Sequence, residues 1–179
     1  MAILRKKKIC IQCGQLKYIF ARGRCEYCDK LVSMALKKGK KAEKKETISS
    51  LKKELDTVFS EFIRLRHADK EGMVTCYTSS KKMHWTKAHC GHFISRRHLG
   101  TRWDEINCQV QSVKENIFNQ GNAPEFGRRL VAGFGQDVVD KLFIKIATTV
   151  KLDRTTLRWQ INDYTSRVIR LKEKLYNSE

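Results

Sequence analysis

Residues 76–122 read CYTSSKKMHWTKAHCGHFISRRHLGTRWDEINCQVQSVKENIFNQGN. Histidines, asparagines, arginines and aromatics crowd between short apolar runs. At the centre stands Cys90-Gly91-His92-Phe93-Ile94-Ser95-Arg96-Arg97. A histidine beside a double arginine can hold a proton acceptor next to groups that grip phosphate. Met73–Tyr77 alternates like a strand, Ser79–Lys82 suits a turn, and Met83–Trp85 suits the returning strand. Asn107 and Asn116 follow at distances that suit a hairpin and then a helix.

The flanking sequence is helical. Ile48, Leu51, Leu55, Phe59, Phe62 and Leu65 recur at helical spacing, with Thr47 or Ser49 placed to cap the start. After the block, Asn122 reads as a cap with Pro124, the only proline, in the first turn. Phe126, Leu130 and Phe134 mark one helix, which Gly133 and Gly135 break, and Val138 through Ile146 mark another. Leu157, Ile161, Tyr164, Val168, Leu171 and Leu175 form a stripe on a final helix. It suits core packing, or a dimer face of coiled-coil type.

Before the block lie two C-x-x-C pairs, Cys10/Cys13 and Cys25/Cys28. Each pair turns two thiolates toward one point, and two pairs complete the tetrahedral set that structural zinc accepts. A unit so short buries little apolar area, so a metal would supply its stability. It reads as a structural finger, or as one that also touches DNA through its basic flanks. Lysines dominate 31–46, which reads as a solvated helix or linker able to bind phosphate through Lys37, Lys38, Lys40 and Lys41.

Charge bounds the partner. The 179 residues carry a formal charge of +18. Sixteen Lys/Arg against five Asp/Glu lie within Met1–Glu54 alone. Such a field draws polyanions, nucleic acid first. No apolar run reaches the roughly 20 residues that cross a bilayer, and no signal peptide is visible, so a cytoplasmic protein without membrane contact is expected. In a reducing compartment the seven cysteines suit metal ligands or free thiols better than disulfides.

The block itself supports phosphodiester hydrolysis. His92 fits the base, with Ser95, Arg96 and Arg97 on flanking phosphates and Asn107 bracing the loop through backbone groups. Asn116 can offer an amide oxygen to a divalent ion such as Mg²⁺ or Mn²⁺, with His89 as a second candidate ligand; Asn119 and Asn122 are looser candidates. His84 and His98 read as exposed or supporting groups, and Trp85 and Trp103 as core residues or stacking platforms. The order histidine, asparagine, metal ligand on a helix is that of a ββα-metal (HNH-like) nuclease. The expected fold is α+β: a zinc-binding finger at 1–30, a lysine-rich linker and amphipathic helix at 31–70, an HNH-like core at 71–135, and C-terminal helices at 136–179.

Over nearly its full length the chain resembles the phage NinG family, also called Rap in lambda-type phages. The C-x-x-C pairs, Cys90-Gly91-His92-Phe93, Arg102-Trp103-Asp104-Glu105-x-Asn107 and Gly121-Asn122 carry the resemblance. It implies a recombination protein with structure-specific endonuclease activity on branched DNA such as Holliday junctions or D-loops. It also implies His92 as base and Asn116 as metal ligand, and Arg102 falls within its motif and joins the DNA-binding candidates. Recombination proteins of host or phage, and a second copy of the chain, are the expected partners, and the host cytoplasm the place of action. The family also reads C-x-x-C near 76–79 and x-H-x-Q-C-x-x-C-N near 108–116, two knuckles for a zinc beside the active site. Here Cys76 is accompanied by Ser79, Ser112 and Glu115, and Gln109 takes the histidine position. Zinc is therefore not expected there in the family's manner, although Cys90 and Cys108 are available to join Cys76. The alternatives are a DNA-binding accessory protein whose nuclease centre has degraded and, more distantly, an RNA-binding zinc-finger protein.

Overall fold

The computed structural model describes residues 7–42 and 46–176, with the side chains of 35–42 left aside. The chain forms two compact units, Met1–Glu46 and Thr47–Glu179. Both mix helices with two-stranded antiparallel sheets, so the fold is α+β.

In the first unit β1 (Lys8–Ile9) pairs with β2 (Leu16–Lys17), and β3 (Ile19–Ala21) with β4 (Arg24–Cys25). The β3–β4 turn needs positive φ at Arg22 and Gly23, a conformation that glycine adopts freely. Helix α1 follows at Glu26–Ala42. The core here is Cys10, Cys25 and Cys28 with half-buried Ile19 against them. Ile9, Ile11, Leu16 and Phe20 all point to solvent. Thiols thus occupy the place where a larger domain keeps its apolar core.

The second unit is built on α2 (Ile48–Leu65) and α5 (Arg154–Tyr176). Thr47 caps α2 in a reciprocal box with Ser50. The α2 stripe Leu51, Leu55, Phe59 and Phe62 packs on Leu157, Ile161, Tyr164 and Val168 of α5. The final helix therefore spends its apolar face within the chain. Each large side chain buried there contributes about 2 kcal/mol. The half-exposed Arg158–Glu54 pair at 2.9 Å is worth less than about 1 kcal/mol. Burial, not ion pairing, holds the two helices.

Two hairpins lean on this helix pair. Strand β5 (Met73–Thr75) pairs with β6 (Lys82–His84), and β7 (His89–His92) with β8 (Cys108–Gln111). Val74, Trp85, Ala88, Cys108 and Val110 carry them into the same core. Beyond β8 comes a π-helical turn, Lys114–Phe118, where an α-helical start was expected. Then follow α3 (Ala123–Phe134) and α4 (Gln136–Ile146), which close a second apolar cluster around Ile94, Phe126, Leu130, Val139 and Leu142. Asn122 precedes α3 in a left-handed conformation and makes no capping bond with its side chain. Among the described residues no helix is long and apolar enough to cross a membrane.

Candidate functional site

The amino-terminal thiols converge. Cys10 and Cys13 come from the turn after β1, Cys25 ends β4, and Cys28 lies in the first turn of α1. Their four Sγ atoms lie within 4.8 Å of one another. The Cys25 N–H donates to Cys10 Sγ at 3.3 Å and holds that thiol down at about 6. Burial pushes Cys28 up to about 12. Tetrahedral zinc with Zn–S near 2.3 Å asks for sulfurs about 3.8 Å apart. Four thiols already gathered this closely fit that demand, and the group could bind zinc. Lys37, Lys38, Lys40 and Lys41 fall in α1, and their side chains lie outside the described residues.

The second constellation sits on the β7–β8 hairpin. A cleft of ≈ 500 Å³ is lined by Cys90, His92, Phe93, Ser95, Arg96, Asn116, Gln120 and Gly121. The His92 Nε2 lies 3.0 Å from the Arg102 carbonyl oxygen. A carbonyl only accepts, so Nε2 carries the hydrogen and Nδ1 keeps its lone pair. Burial lowers the His92 pKa, the carbonyl opposes this, and the Arg96 and Arg102 cations lower it further. His92 is therefore a neutral imidazole at pH 7.

Asn116 lies across from it. Its Nδ2 donates to His89 Nδ1 at 3.1 Å. The ring thus holds the nitrogen end of the amide and leaves the oxygen end for another partner. In this arrangement His89 orients Asn116, rather than presenting Nδ1 to an ion.

Asn107 is fully buried. Its Oδ1 accepts from the Ile94 N–H at 2.7 Å. Its Nδ2 donates to the Ile94 and Thr101 carbonyls at 3.0 and 2.9 Å. Three bonds from one side chain fix both ends of the loop that carries Ser95, Arg96 and Arg97, all exposed. Arg102 faces inward instead. Its guanidinium grips both Asp56 oxygens and the Arg96 carbonyl. It braces the loop and the His92 partner carbonyl, with its fork taken up inside the protein. Trp85 is buried, and Trp103 donates to Asp56 at 2.9 Å; both pack the fold.

Sequence reasoning missed several of these supports. Asp56 and Arg66 lie far along the chain from the residues they hold. Arg66 donates to the Glu105 and Cys108 carbonyls and to Gln109 Oε1, pinning the start of β8 to the end of α2. Gly91 is close-packed: a Cβ there would come within 2.0 Å of Gln111 Oε1. Gln111 is fully buried and donates to Thr78 and to the Gly121 carbonyl. The glycine between Cys90 and His92 had signalled only a motif, not this contact.

The sequence model described as Bacteriophage Lambda NinG protein matches residues 24–176. The chain belongs to the NinG family. Membership suggests a phage protein related to recombination. No curated protein and no solved structure matches the chain.

The NinG pattern also gives meaning to a third cluster. Positions 76, 79, 112 and 115, where the resemblance implies thiolates in the family but this chain keeps only Cys76, still come together. The Ser112 N–H donates to Cys76 Sγ at 3.3 Å, and the Glu115 N–H to Ser112 Oγ at 3.2 Å. Burial raises the Cys76 pKa, but hydrogen bonds from the Ser79 side chain and the Ser112 and Ser79 backbone outweigh it and hold it at about 7. The buried Glu115 carboxylate accepts from Thr78, Asn119 and Asn122 at 3.3, 2.9 and 2.8 Å. A hydrogen-bonded clamp stands where this NinG chain lacks thiolates. Cys90 and Cys108 do not join Cys76; they gather with His92 instead.

Proposed function

We propose that this NinG-family chain is a metal-dependent, structure-specific endonuclease with an HNH-like ββα-metal centre, acting on branched DNA in recombination. The observation that carries the reading is His92. Its ring is neutral, its Nε2–H is held by the Arg102 carbonyl, and its Nδ1 is left as acceptor in a cleft shared with Asn116 and Arg96.

His92 Nδ1 takes the proton of the attacking water. Asn107 holds the loop so that this ring stays aligned. Arg96 and Arg97, exposed at the rim, grip flanking phosphates. The Asn116 amide oxygen, together with a substrate phosphate oxygen, would hold Mg²⁺ or Mn²⁺, ions that take oxygen ligands and keep much of their water. When bound, the ion supplies charge neutralisation at the phosphate and the leaving oxygen. The four-cysteine unit takes structural zinc. The place of action is the host cytoplasm, and symmetric cutting of a junction would suit two copies of the chain.

The test is nicking of a four-way junction in Mg²⁺ or Mn²⁺. Wild type should cut the junction in preference to linear duplex, and His92→Ala should lose at least about 100-fold. Undiminished cutting by His92→Ala refutes the assigned base. The substitutions at Ser79, Ser112 and Glu115 favour a second reading, a DNA-binding accessory protein whose nuclease centre has degraded. Tight junction binding without any cutting would select that reading.

A further inference from the structure

Cys90 and His92 alternate on β7, so both side chains leave the same face of the hairpin. Antiparallel pairing sets Cys108 of β8 directly opposite His92. The two sulfurs and a ring nitrogen of His92 lie within 4.8 Å of one another, with Cys108 buried and the other two half-buried. Zinc at its usual bond lengths asks for ligand atoms about 3.3–3.8 Å apart. The backbone beneath is rigid: Arg66 holds the Cys108 carbonyl at 2.9 Å, and close packing fixes Gly91 against Gln111.

The chemistry of the three groups selects the ion. Two sulfurs and an imidazole are soft to borderline donors, poor partners for Mg²⁺ and good ones for Zn²⁺. Of the cations around the cluster, Arg102 is matched by Asp56 and Arg66 by Glu105 at 3.6 Å, while Arg96 stands exposed at the rim of the cleft. We propose that Cys90, His92 and Cys108 form a second zinc site, distinct from the amino-terminal four-cysteine group. Its fourth position is left to solvent or another ligand. The site is separate from positions 76, 79, 112 and 115, which lie between β5 and β6 and just beyond β8.

Zinc here engages a nitrogen of the ring that the proposed reaction uses as base. If that reading holds, filling the site switches proton transfer off, so zinc opposes Mg²⁺. This corollary rests on the nuclease reading, whereas the site does not.

The test counts metal on the full chain. Protein saturated with zinc and freed of excess by gel filtration should carry two zinc ions per chain by mass spectrometry. Cys90→Ser/Cys108→Ser should carry one. A wild-type footprint covers the case of a misfolded variant: zinc should slow iodoacetamide labelling of the half-buried Cys90 at least tenfold, mapped by peptide mass. One zinc per wild-type chain, two retained in the double variant, or labelling of Cys90 indifferent to zinc would each overturn the site. For the corollary, zinc added at site occupancy should cut Mg²⁺-supported nicking at least tenfold. Nicking that ignores zinc removes the inhibitory role. A chain that never nicks defeats the nuclease reading alone, because the metal count still decides the site.

Discussion

His92 is most exposed to test through pH. Its folded-state pKa lies below the ordinary 6.5, first through burial and then through the Arg96 and Arg102 cations. In the proposed reaction His92 works deprotonated, so the rate should rise as pH climbs through that lowered value and be level above it. The acid limb of kcat/KM for junction nicking should therefore have its midpoint below 6.5. A midpoint above 6.5 would assign the limb to another group. Asn107 invites a second measurement. Asn107→Ala strands one buried N–H and two buried carbonyls at the ends of the arginine loop. Each stranded group costs about 1–3 kcal/mol, so urea unfolding should show a loss of about 3 kcal/mol or more. A loss under about 1 kcal/mol would mean that the loop is held elsewhere. The bracing role of Asn107 could be read from its position between loop and strand. Its three partners could not, because a sequence does not say which backbone groups a side chain meets.

Among the elements, the helices were legible and the hairpin chemistry was not. Apolar spacing alone places α2, α3, α4 and α5, because a helix repeats its buried face within a few residues. Strand alternation puts Cys90 and His92 on one face only once β7 is known to be a strand. Joining Cys108 to them needs the β7–β8 register, which a loop of fifteen residues (93–107) conceals. The π-helical Lys114–Phe118 turn was hidden too, since its sequence differs little from an ordinary helical start. The clamp at 76, 79, 112 and 115 makes a prediction at this scale. Its positions still converge, so Ser79→Cys/Ser112→Cys/Glu115→Cys should gather four thiols with Cys76 and raise the zinc content by one ion per chain. Unchanged zinc content in a folded triple variant would show that the hydrogen-bonded clamp has drifted from metal geometry.

For the whole molecule, charge bears on the proposed DNA partner. The formal +18 predicts junction affinity dominated by phosphate contacts and counterion release. Raising salt from about 50 to 200 mM should weaken binding by about 1,000-fold or more if six or more phosphates are neutralised. A flat response would remove DNA as the principal partner. The folded arrangement has one consequence for synthesis. The apolar face of α2 is covered by α5, which is made only after residues 66–153 have emerged. Throughout that interval Leu51, Leu55 and Phe59 have no native partner on the last helix, and the hairpins bearing His92 rest on half a scaffold. A message truncated before Arg154 therefore yields a product open to aggregation and proteolysis. The nascent chain acquires its finished hairpin support only when its last helix leaves the ribosome.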